Sequence, residues 1–245
     1  MPSAAVRTIA AMRKTESGFT LVEIAIVLVI IGLLLGGILK GQEMITQAKI
    51  KNVIADMSGV SAAMYGYQDR YKALPGDDKN ANSRWSSTTP GNGDGVIQGA
   101  YNLAAPGTLA SSTQAPTTES VFFWHHLRLA GFVSGTGADQ PFNAVSGKIG
   151  VQTSDGTAPG GASFAAGVLS DGAATPTKFT SLMLCSANLP DKIAISVDAQ
   201  TDDGTGKKGT VRGQKQAAPN EAISDTASDY AEDGVSTYIV CRSLL

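Results

Sequence analysis

Apolar positions run almost without a break over residues 19–39, with a single acid, Glu23, near the front of the run. A helix over these 21 residues is about 31 Å long, enough to cross the hydrocarbon core of a bilayer. Behind Lys40 the pattern changes instead of ending. Ile45, Ala48, Ile50, Val53, Ile54, Met57, Val60, Met64, Tyr67 and Tyr71 recur mostly at spacings of three and four, the one-sided stripe of an amphipathic helix. Leu74 precedes Pro75, which pushes it out of the helical region, and Gly76 follows at once, so the helix is expected to stop there. Segments 19–39 and 40–74 therefore read as one helix of about 80 Å, far longer than a globular body covers. Half of it has to find partners elsewhere.

After Pro75 the pattern shortens. Residues 119–132 read as one amphipathic helix, with Ser120 as N-cap and Gly131 as C-cap, and Phe122, Phe123, Leu127 and Leu129 packing on a sheet. Strand candidates are 148–152, 164–169, 181–185, 192–197 and 237–242, separated by Gly, Asp and Thr clusters. Within 192–197, Ile193, Ile195 and Val197 alternate as in a half-buried strand. Residues 202–209 read as a hairpin or loop. The fold class expected is α+β: a long N-terminal helix, transmembrane in its first half and amphipathic in its second, packed on an antiparallel sheet in a body spanning 75–245.

Composition refines this picture. Of the 245 residues, 42% are apolar, but the run at 19–39 takes a large share of them. The rest is rich in Gly, Ser, Thr, Ala, Asp and Asn, as an extracellular, loop-rich body would be. A net charge of −2 offers no basic footprint, so nothing points to a nucleic-acid partner. The only cysteines, Cys185 and Cys241, form a disulfide or remain as two buried thiols; a bridge over a loop of that length would add about 4 kcal/mol in the chain-entropy account.

Candidate chemistry is sparse. There is no Gly-x-Ser-x-Gly elbow, His-Glu-x-x-His, phosphate loop or dinucleotide fingerprint. His125 and His126 are adjacent, so they point about 100° apart on a helix and do not chelate one ion from a single face. Asp191, Asp198, Asp202 and Asp203 are the acids on which a membrane-anchored hydrolase would have to rest, and no spacing gathers them into a cleft. The expectation is that the chain is not an enzyme. Asp77, Asp78, Asn92 and Asp94 are hard oxygen donors, and Asn92-Gly-Asp94-Gly95 has the spacing of the middle of an EF-hand loop. Pro90 stands at the first acid's place and Tyr101 at that of the bidentate Glu, so a complete EF-hand is excluded. Two readings stay open there, a Ca2+ ligand set and solvated turn chemistry.

Gly18-Phe19-Thr20-Leu21-Val22-Glu23, preceded by the basic Arg7, Arg13 and Lys14 and followed by the apolar run, resembles the prepilin motif of the type IV pilin and type II secretion pseudopilin family. A simple signal peptide is ordered differently, with its cleavage site after the apolar segment. An uncleaved signal anchor would leave Glu23 and the Gly-Phe junction unexplained. The resemblance implies a cleaved leader at 1–18, cut between Gly18 and Phe19 by a prepilin peptidase, N-methylation of Phe19, and retention of the apolar helix. It further implies that Glu23 pairs with the α-amine of Phe19 on a neighbouring subunit during assembly into a filament. Losing 1–18 removes Arg7, Arg13, Lys14 and Glu16, so the processed chain of 227 residues carries about −4. The basic leader keeps the N-terminus cytoplasmic and the body periplasmic, giving a single-pass inner-membrane protein before it enters a pilus or pseudopilus. Pilins of the family commonly staple a C-terminal loop with a disulfide, and some pseudopilins hold calcium in their body. Body size leans towards a minor pilin, with a pseudopilin as the alternative. Gly32, Gly36 and Gly37 admit two readings, close helix packing or a segment able to melt on leaving lipid; the proline many pilins carry in this region is missing here.

Overall fold

The computed structural model describes residues 18–104, 118–156 and 167–245. Most of the leader, 1–17, and the first part of the strand expected at 164–169 lie outside the described residues. Helix α1 (Leu21–Tyr71) runs for 51 residues, and the chain divides into two compact units, one ending at Ile45 and one running from Thr46 to Leu245.

In the first unit every residue from 18 to 40 is exposed. Leu21, Leu33 and Leu39 leave 91%, 73% and 67% of their surface uncovered. Isolated exposed leucines are ordinary, but a contiguous apolar cylinder is not a surface that water tolerates. By length and composition this part of α1 is able to cross a membrane.

The second unit is built on the other half of the same helix. Ile50, Val53, Met57, Val60, Met64 and Tyr67 are all buried, and their alternating spacings of three and four put them on one stripe. The stripe packs on a sheet of β1 (Ile149–Thr153), β2 (Leu182–Pro190), β3 (Val211–Lys215) and β4 (Thr237–Ser243), antiparallel throughout and ordered β1-β2-β4-β3. Successive strand residues face opposite ways. Leu182, Leu184, Tyr238 and Val240 join the core under α1. Met183, Cys185, Ala187, Ile239 and Cys241 form a second core with Tyr101, Leu169 and Phe179. The sheet is thus buried on both faces. A bulge between Ser186 and Leu189, with Asn188 at φ 57°, changes the parity, so Leu189 returns to the α1 face.

Cys185 and Cys241 are register partners on β2 and β4 and are joined in a disulfide. The bond sits on the face turned away from α1, within the second core.

Two sequence expectations are corrected. Residues 192–197 lie in helix α4 (Asp191–Thr201), not in a strand. Ile193, Ala194 and Val197 are its buried positions and share the α1 core, while Ile195 is only half-buried. The helical spacing won over the alternation, with Pro190 just before the first turn and Asp191 opening it, both favourable at a helix start. Helix α3 (Glu119–Leu129) follows Thr118 as N-cap residue and ends on Ala130, so Ser120 is not the cap. Ser120 instead donates its backbone N–H to the Gln98 carbonyl and its hydroxyl to the Ala100 carbonyl. A short helix, α2 (Ala81–Arg84), lies between α1 and the acidic loop.

Candidate functional site

The head of α1 is built by a local exchange of hydrogen bonds. Thr20, just before the first helical residue, donates its backbone N–H at 2.8 Å and its hydroxyl at 2.9 Å to the Glu23 carboxylate. Glu23 returns its own N–H to the Thr20 Oγ1 at 3.3 Å. This is a capping box, the Thr-x-x-Glu pattern that closes the otherwise unpaired amides of a helix start. The Thr20-to-Glu23 spacing carried that signal in the sequence. Glu23 therefore has a local role before any neighbouring subunit is considered. Gly18, Phe19 and Glu23 all stand exposed at this end. A Cβ added at Gly32, Gly36 or Gly37 would meet nothing within 4 Å, so no contact inside the chain requires glycine at these positions.

The hard donors picked out beyond Pro75 separate in the structure. Asp78 turns back to α1, where its carboxylate accepts from the Tyr67 hydroxyl at 2.7 Å and pairs with the Arg84 guanidinium. Asp77 and Asp94 come together with Glu119, a residue absent from the set read in the sequence, their ligand atoms all within 4.8 Å of one another. Asp77 accepts the amides of Gly93 at 2.6 Å, Asp94 at 3.2 Å and Gly95 at 2.8 Å. Glu119, fully buried at the start of α3, accepts from the amides of Asn92 at 3.3 Å and Gln98 at 3.0 Å. The Asn92 side chain lies on Asp94 at 2.9 Å. Burial, aided by the Asp77 and Asp94 charges and opposed by the Gln98 and Asn92 amides, pushes Glu119 up to about 8. Nothing in the local sequence around Glu119 announces this; only the closure of the loop onto α3 brings it to Asp77. That closure is tight, because a Cβ at Gly91 would run into the Asp77 backbone.

The histidines serve packing. His126 Nδ1 accepts the Gly76 amide at 2.9 Å, which leaves the ring proton on Nε2, donated to the Thr89 carbonyl at 2.9 Å. Burial holds this ring down at about 4, so it is neutral. His125 pairs with the Thr88 hydroxyl at 2.9 Å.

The acids a hydrolase would have needed are committed to turns. Asp198 accepts from the Tyr230 hydroxyl at 2.8 Å and the Gly204 amide at 3.1 Å. Asp202 accepts from Thr210 and Val211, Asp203 from Thr205, and Asp191 from Gly234, all through backbone amides. Although Asp198, Asp202 and Asp203 lie close to one another, each stitches the loop between α4 and β3.

No curated protein and no solved structure matches the chain. Residues 13–39 match the family model described as the prokaryotic N-terminal methylation motif, a match that begins ahead of Gly18 and ends where the apolar run ends. That motif implies processing by a prepilin peptidase and assembly with other pilin subunits, and the exposed apolar helix behind it fits membrane anchoring. The chain thus carries, at the head of a long helix packed on an antiparallel sheet, the N-terminal signature of type IV pilins and pseudopilins.

Proposed function

We propose that the chain is a prepilin, cut between Gly18 and Phe19, methylated on the new Phe19 amine, and polymerised through its N-terminal helix into a type IV pilus as a minor subunit. One observation carries this reading. Helix α1 spends its second half on the core of the body and leaves its first half wholly uncovered behind a methylation motif. Before assembly, lipid of the inner membrane is the solvent for that surface, with the body on the periplasmic side. In a filament, the same surface is covered by the helices of neighbouring subunits. Cutting at Gly18 frees an amine next to the Thr20–Glu23 cap, and a carboxylate in a water-poor bundle gains most from a cation of the opposite sign. Glu23 therefore changes partner on assembly, from the Thr20 groups of its own chain to the Phe19 amine of a neighbour. Gly32 and Gly36, four residues apart on one face, leave a flat strip along the helix on which another helix approaches closely.

The alternative, a pseudopilin of a type II secretion system, uses the same head. Shearing fibres from intact cells and probing for the chain separates the two: recovery in the sheared fraction supports the pilus, and retention of all processed chain in the cell envelope rejects it in favour of the secretion pseudopilus.

A further inference from the structure

The loop that closes onto α3 gathers more negative charge than its surroundings balance. Asp77 and Glu119 are 4% and 0% exposed, and Asp94 completes the group at the surface. Among the described residues none of the three is in an ion pair, while the adjacent Asp78 takes Arg84. Like charges held this close in a partly buried site repel unless a proton or a cation joins them.

A second observation points to a ligand. Gln98 is 2% exposed and is held at the cluster from both ends. Its backbone N–H donates to Glu119 at 3.0 Å and its side-chain Nε2 to Asp94 at 3.0 Å. The Oε1 of that same amide is buried and has no hydrogen-bond partner. A buried acceptor left unpaired is costly, and native structures seldom leave one so without an ion, a water or a function. Here the unpaired oxygen belongs to a residue that is fastened to Asp94 by its side-chain amide and to Glu119 by its backbone N–H.

We propose that Asp77, Asp94 and Glu119, with the Gln98 side-chain oxygen, form a calcium site. All donors are oxygens, three of them carboxylates, and they come from separate stretches of chain, the loop after α1 and the start of α3, which suits a hard cation that takes six to eight oxygen ligands in loose geometry; water and loop carbonyls complete the shell. The arrangement also resolves the gaps in the Asn92-Gly-Asp94-Gly95 segment. Asp77, distant in the chain, fans its carboxylate over the amides of Gly93 to Gly95, as the first acid of a calcium loop does, where Pro90 supplies nothing. Glu119 provides the late acid that Tyr101 does not. Cation entry is open through exposed Asp94 and a surface depression of about 560 Å3 that Asp77, Gly93 and Gly95 help to line.

The test is calorimetric titration of calcium into the full chain in detergent micelles after chelator treatment, with D94N and D203N alongside and a thermal unfolding trace showing that each is folded. Asp94 is exposed, so D94N removes a ligand charge without disturbing the core. One calcium bound with a Kd on the order of 10⁻⁴–10⁻³ M, as in extracellular modules, is expected for the wild type and for D203N, with about tenfold weaker binding for D94N. No binding to the folded wild type at about ten times that concentration, as a proton held on Glu119 would give, overturns the proposal, and so does undiminished binding by D94N.

Discussion

Replacing both cysteines, C185A/C241A, isolates what the disulfide contributes. The two residues are already register partners on hydrogen-bonded strands, so the bond imposes no new arrangement on the folded sheet. Its main effect falls on the unfolded chain, where it closes a loop between residues 56 apart, through α4 and β3. In the chain-entropy account a loop of that length is worth about 4 kcal/mol at 25 °C. Both sulfurs are fully buried beside Tyr101, Leu169 and Ile239, so their removal adds roughly 1 kcal/mol each in lost burial and packing. For a body of this size 1 kcal/mol moves the midpoint by about 2–4 °C, so scanning calorimetry should show a drop of about 12–24 °C for the combined loss of about 6 kcal/mol. Reductant added without denaturant should leave the native bond intact, because neither sulfur is reachable. A double variant melting within about 2 °C of the wild type would refute the loop-closure reasoning, and rapid reduction of the native chain would refute the burial argument.

Two further outcomes are expected. Glu23→Gln keeps an oxygen for the Thr20 cap but discards the charge, and Glu23→Ala discards both; if pairing with a neighbour's amine drives assembly, both variants insert in the membrane and neither is recovered in fibres. Assembly of Glu23→Gln at wild-type levels would show that the cap alone suffices. The second concerns His126, whose buried, neutral ring sits at about 4 against an ordinary 6.5. Below pH 6.5 the unfolded chain takes a proton that the folded ring refuses, so its stabilising contribution is complete above pH 6.5, is lost as pH falls towards 4, and is flat below. The loss amounts to about 3 kcal/mol, read as a fall in unfolding midpoint between pH 7 and 4 that His126→Gln should lack; an equal slope in the variant would exclude His126 as its origin.

Much of the architecture was written in spacing. The stripe from Ile50 to Tyr67 needed only the three-and-four rhythm, and Leu74-Pro75-Gly76 bounded it, although α1 already stops at Tyr71, with Lys72 at φ 54°; Gly76 is at φ 90°, and a Cβ there would be only 2.5 Å from the Glu119 carbonyl oxygen. Strands β1, β2 and β4 were legible as short apolar runs. Strand β3 was not, since Val-Arg-Gly-Gln-Lys has neither alternation nor bulk. Gly213 is there because the Tyr230 ring occupies the space of a side chain, a demand made by a residue far along the chain. Helix α4 was mistaken because Ile193, Ile195 and Val197 fit a period of two, whereas the face chosen by packing was Ile193, Ala194 and Val197. The acidic loop was half legible. Asp77 and Asp94 could be read as donors, but Glu119 and Gln98 enter only through contacts between distant segments, and Asp78 leaves because Tyr67 and Arg84 claim it.

The central claim is that the exposed head of α1 is a processing and assembly signal. The intact mass of the chain isolated from its native membranes tests it most directly. The account predicts a chain beginning at Phe19, lacking residues 1–18 and carrying one added methyl group. A mass matching the uncut chain, or one cut on the far side of the apolar run, would contradict it.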